Sequence, residues 1–197
     1  DSNPRLRKAV NDSKASNMPN DKIDRAIKKG IGALEGVSYE EIVYEGYGPN
    51  GVAIIIEVIT DNKNRTVAEL RHIFSKFGGS LGESGSVSWM FEKKGQITIL
   101  DHALGFDSLF DISLNAGAED INEIEKGFVI TTHFESLIKV KRTLESKGCK
   151  ISFAENKMIP KVIQKVRKAE SDAPLNLISG LKNNDDVNNI YSNLEVE

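Results

Sequence analysis

The sequence is poor in the residues that most often carry catalysis or metal binding. Cys149 is its only cysteine. That rules out a disulfide within the chain, argues against a cysteine-based metal cluster and fits a reducing compartment. The histidines are His72, His102 and His133, and none lies at zinc-ligand spacing from another or from Cys149. No H-E-x-x-H or P-loop occurs. Acidic residues are plentiful, but their spacing assigns no acid–base pair. No apolar run approaches the length of a membrane span, and no signal peptide is visible. Fixed-period repeats and low-complexity runs are missing too. These absences predict a non-enzymatic chain that needs no cofactor and no metal and does not enter a membrane.

What is present is charge with an uneven distribution. The chain of 197 residues carries a net charge of −3, which argues against a uniformly basic coat. Residues 1–29 hold eight basic residues, Arg5, Arg7, Lys8, Lys14, Lys22, Arg25, Lys28 and Lys29, against four aspartates. Their net charge is +4, which leaves −7 for the remainder. A basic start on an acidic body suggests an anionic partner for the start, although a solvated helical face has the same composition.

Asn3-Pro4 reads as a helix start, with the helix running to about Ala15. Asn17-Met18-Pro19 interrupts it, and a second helix is expected to run to Lys29 and stop at Gly30. Lys22, Arg25 and Lys29 share one face of that helix, and Ile23, Ala26 and Ile27 form its apolar stripe. Gly30 to Gly36 reads as a linker.

The stretch from Tyr44 to Gly95 organises the rest. Val52 to Ile59 is rich in β-branched residues and reads as a buried strand. Thr66 to Phe77 has helical spacing, with Val67, Leu70, Phe74 and Phe77 on one face. Thr66 and Glu69 look like a capping box, and Gly78 sits at the expected left-handed cap. Val87 to Phe91 reads as a further strand, with Trp89 and its neighbours Val87 and Phe91 on one face, so Trp89 is expected in the core rather than as a base-stacking platform. The loop Gly46 to Gly51 fits G-x-G-x-x-G, but a strand rather than a helix follows it, so a tight turn is expected and not a dinucleotide site.

Downstream, a helix near 104–114, strands at 120–124 and 128–132, a helix at 134–147 and a strand at 150–153 form one block. A strand over 158–166, a helix over 175–181 and a closing strand over 189–196 follow. The spacing predicts an α+β protein. A helical basic domain spans residues 1–38. A ferredoxin-like α/β domain is built from 39–100 and 156–197, and a second α/β domain, 101–155, is inserted into it.

The words YEGYGPNGVA at Tyr44, TDNKNRTVAELRH at Thr60 and FSKFGGSLGESGSVSWMF at Phe74, with NPRLRKAV at Asn3 and NMPNDKIDRAIKKG at Asn17, closely resemble the YebC family. That family comprises bacterial transcriptional regulatory proteins and is related to mitochondrial translational activators of cytochrome c oxidase. The resemblance covers nearly the whole chain and implies the same layout, a helical domain first and one α/β domain inserted into another. Family chains usually begin earlier, with a further basic helical segment.

The resemblance implies a nucleic-acid-binding regulator of gene expression. Two settings are open: promoter DNA, or RNA on the ribosome as a translation factor. A protein-interaction scaffold is a third class. The expected location is the cytoplasm, or the mitochondrial matrix for an organellar source; the oligomeric state is unspecified. Candidate contacts are the eight basic residues of the start, then Lys63 and Arg65 at a helix entry, where phosphate is favoured. The small-residue loop Gly78 to Ser86 is a third candidate.

Overall fold

A computed structural model describes residues 6, 9–10, 13–14, 18–30, 38–100 and 105–197, with Arg25 and Lys29 described by backbone alone. The expected helix over 3–15 and the linker 30–36 lie mostly outside these residues. The second expected helix is α1, Asn20–Gly30. Its entry is set by Pro19, whose carbonyl accepts from the Lys22 and Ile23 amides at 3.1 Å each. Ile23 is buried, Ile27 is half-buried, and Lys22 and Lys28 are exposed.

The first sheet begins with β1, Glu40–Tyr47, paired antiparallel with β2, Ala53–Thr60. A short β3, Ser80–Leu81, flanks β1, and β9, Val187–Ser192, flanks β2. β2 is therefore interior and buried on both faces, which explains its nearly unbroken apolar run. Ile54, Ile56 and Val58 pack on one side against Leu70 and Phe74 of α2, Lys63–Lys76, and Leu177 and Leu181 of α5, Asp172–Lys182. Ala53 and Ile55 pack on the other side with Val87 and Phe91. The two helices meet closely because Gly180 has no side chain: a Cβ there would lie 2.7 Å from the Phe77 ring.

The second sheet has the order β5-β6-β4-β7, antiparallel throughout. Its strands are β4, Phe91–Ile99; β5, Ala118–Ile124; β6, Gly127–His133; and β7, Phe153–Pro160. Helices α3, Phe106–Ala116, and α4, Leu137–Ser146, supply Leu109, Val140 and Leu144 to a core with Ile97, Ile99 and Ile130. Residues 91–160 thus contain a complete β-α-β-β-α-β series. A small parallel pair, β8, Gln164–Val166, and β10, Leu194–Val196, completes the chain.

Two expectations are corrected here. Residues 91–99 are expected in the first sheet, within the domain built from 39–100, yet they form β4, which pairs with β6 and β7. The ferredoxin-like series accordingly runs through 91–160 instead of being assembled from 39–100 and 156–197. The physical reason is that strand pairing is long-range: β4 follows α2 in sequence, but its inward Ile97 and Ile99 fit the α3–α4 core. The single strand expected over 158–166 is two strands, broken at 161–163 because its halves pair in different sheets. The sheets touch through Met158 and Tyr191, packed beside Ile55 and Phe91. Asn193 knits the junction: its carboxamide oxygen accepts from Ala53 N at 2.8 Å, and its amide donates to the Val162 carbonyl at 3.0 Å.

Candidate nucleic-acid interface

The three regions singled out in the sequence have different fates. At the entry of α2 the cap is Asn62, whose side chain accepts from Arg65 N at 3.1 Å. The expected capping box at Thr66 is therefore one turn too late, and Thr66 is fully buried inside the helix. Its hydroxyl donates to Asp186 Oδ2 at 2.6 Å and lies 2.7 Å from the Thr60 hydroxyl. Arg65 reaches the same aspartate through a single nitrogen, 3.0 and 2.9 Å from its two oxygens, and also pairs with Asp61 at 3.0 Å. Burial alone would raise the Asp186 pKa; the bonds from Thr66, Arg65 and Thr60 outweigh it and hold the carboxyl below its ordinary range.

The cleft beside this latch is lined by Tyr39, Asp61, Arg65, Glu69, Asp185 and Asp186. Four carboxylates face one guanidinium there. The cleft is thus net acidic, and the exposed Arg65 pairs its charge with the protein's own carboxylates. Lys63 is exposed at the same entry.

The glycine loop after α2 is firmly built. Gly78 takes a left-handed φ of 77°, ending the helix as expected. Gly79 approaches β1 so closely that a Cβ would meet the Tyr47 carbonyl at 2.6 Å. Beyond it, Glu45 is buried, 6% exposed, and its carboxylate accepts from the amides of Gly85, Val87 and Ser88 at 2.8, 2.7 and 2.8 Å. The Glu45 carbonyl also accepts from Gly82 N at 2.8 Å. Burial raises the Glu45 pKa, but the three backbone donors prevail and leave it lowered.

Trp89 rides on this loop and overturns its expected place in the core: it is 60% exposed. Residues 88–90 form a single 3₁₀ turn rather than a strand. That turn keeps Val87 and Phe91 in the core and rotates Trp89 outward. Its indole N–H donates to the Ser86 carbonyl at 3.1 Å, which also accepts from the Tyr47 hydroxyl at 2.9 Å.

In the basic start, Lys14, Lys22 and Lys28 are exposed. Arg25 and Lys29 fall within α1 by backbone, and Arg5, Arg7 and Lys8 lie outside the described residues. Some of the body's cations are paired: Arg65 with Asp61 and Asp186, Lys94 with Glu92 and Glu119, Lys165 with Glu195 and Glu197, Arg167 with Glu170. Among the described residues, no three His, Cys, Asp or Glu side chains converge to hold a metal ion. Burial pushes the half-buried Cys149 thiol up, away from nucleophilic use. No described helix is long and apolar enough to cross a membrane.

Two family models match the chain: the TACO1/YebC protein N-terminal domain over residues 1–33 and the TACO1/YebC second and third domain over residues 39–194. A probable transcriptional regulatory protein of Trichlorobacter lovleyi is 50% identical over 98% of this chain and 78% of its own length. One from Thermotoga petrophila is 49% identical over 100% of this chain and 78% of its own. The crystal structure of a conserved hypothetical protein from Aquifex aeolicus is 41% identical, with a TM-score of 0.82 over 99% of this chain and 81% of that one.

Proposed function

The chain belongs to the TACO1/YebC family, and on that premise we propose that it regulates gene expression by binding nucleic acid. The observation that carries this reading is the segregation of charge. The basic residues of the start, with a net charge of +4, stand on a body that carries −7. Exposed lysines on a short helix suit phosphate contacts, which position a protein without reading sequence. The relatives' names as probable transcriptional regulatory proteins support duplex promoter DNA as the target and a regulatory rather than enzymatic role. One observation favours RNA instead, and with it a translation factor: the exposed Trp89 suits unpaired bases, which duplex DNA does not offer.

Crosslinking in cells followed by sequencing of the bound nucleic acid tests both. Promoter fragments support the first reading and ribosomal RNA the second. Recovery of neither, with binding lost at modest salt in vitro, leaves a protein scaffold.

A further inference from the structure

We propose that Trp89 is a stacking platform for an unpaired nucleobase, a step that rests on the nucleic-acid reading but not on the choice between DNA and RNA. The ring is 60% exposed although the chain around it is held tightly. Glu45 fixes the amides on both sides of Ser86, and the Ser86 carbonyl fixes the indole N–H. With its one polar group already satisfied, the indole offers only its π surface. A ring held in advance loses little freedom on binding. The loop leading into Trp89 is made mostly of small residues, Gly82, Ser84, Gly85, Ser86 and Ser88, and a Cβ at Gly85 would meet nothing within 4 Å. Glu83 is the one charged residue between Gly82 and Ser88.

A cation stands on the neighbouring strand connection. Lys161 donates its amide to the Met90 carbonyl at 2.7 Å, which places this exposed lysine one residue from Trp89 in the pairing. The aromatic face suits a base, and it tolerates any sequence because every base has a π face; the Lys161 charge is felt by Glu92 on the adjoining strand.

The chain contains a single tryptophan, so its intrinsic fluorescence reports Trp89 alone. Titrating the full chain with an unstructured single-stranded oligonucleotide, as RNA and as DNA, should quench that fluorescence saturably. A duplex of the same sequence should quench it far less. In anisotropy measurements with labelled oligonucleotide, Trp89→Ala should weaken single-strand binding by about tenfold or more, with Trp89→Phe in between. Unfolding curves matching the parent would show that the fold survives.

Single-strand binding with unchanged fluorescence and full affinity in Trp89→Ala overturns the platform while leaving nucleic-acid binding intact, and points Trp89, with exposed Val162 and Ile163, toward a protein partner. If the parent binds no nucleic acid of any kind, the proposed function itself fails and the platform with it.

Discussion

Two carboxylates, buried Glu45 and half-buried Asp186, organise two of the three places where the sequence points to phosphate, and they do so in opposite ways. Glu45 is satisfied by backbone amides, so the side chains of its loop remain available, and one of them is an exposed tryptophan. Asp186 is satisfied by side chains, so the hydroxyls of Thr60 and Thr66 and the guanidinium of Arg65 are consumed. The first arrangement presents a surface. The second closes one, latching α2 to the chain entering β9. A positive residue at a helix start is therefore no evidence of an anion site until its partners are known.

The largest expected effect comes from Glu45→Ala. It strands three loop amides, the buried Val87 N–H among them, and the cost should be about 3 kcal/mol or more. Urea unfolding measures this. Asp186→Ala should cost less, about 1–2 kcal/mol, because Thr60 and Thr66 already lie 2.7 Å apart and can bond each other while Arg65 turns to water. If Asp186→Ala proves the more damaging, the division into backbone-held and side-chain-held carboxylates has the wrong emphasis.

Acid sharpens the same contrast. Both carboxyls have folded pKa values below ordinary, so the unfolded chain binds their protons first. Their stabilisation is complete above the usual carboxylate range and drains away as pH falls through about 4 and below. Unfolding midpoints measured from about pH 6 to about pH 3 should fall less steeply in Glu45→Gln than in the parent. Equal slopes would mean that Glu45 is not an anion in the folded protein.

Local chemistry made much of this fold legible. The β-branched run at 52–59 is β2, and Gly78, Gly117 and Gly148, all with positive φ, end helices or lie one residue beyond. Two of the misreadings share one cause, which is that the deciding partner is distant, and the third comes from a local turn. Thr66 resembled a cap because its real partner, Asp186, lies 120 residues away. β4 was placed with its sequence neighbours, while its pairing strands begin at Gly127 and Phe153. Trp89 was placed by strand alternation, which one 3₁₀ turn cancels. For Glu45 no local signal existed: a glutamate within a strand acquires its role only when the glycine loop folds back over it.

The smallest expected effect separates the two candidate basic regions. Arg65→Ala should leave nucleic-acid affinity and its salt dependence unchanged, since its charge is already answered by Asp61 and Asp186 in an acidic cleft. Lys63→Ala tests the remaining exposed cation at that entry and should behave alike, because the neighbouring carboxylates cancel any attraction for phosphate. Replacing Lys22, Arg25 and Lys29 together should weaken binding to every sequence and flatten the log–log salt slope by about one for each phosphate no longer neutralised. The fold should hold, because Ile23, buried on α1, stays in place, and replacing an exposed residue such as Lys22 seldom costs much. Measured side by side over a salt series, the variants give a direct ranking. A slope that drops in Arg65→Ala and holds in the triple variant would move the interface from the basic start to the α2 entry. It would also require nucleic acid to displace Asp186 from Arg65.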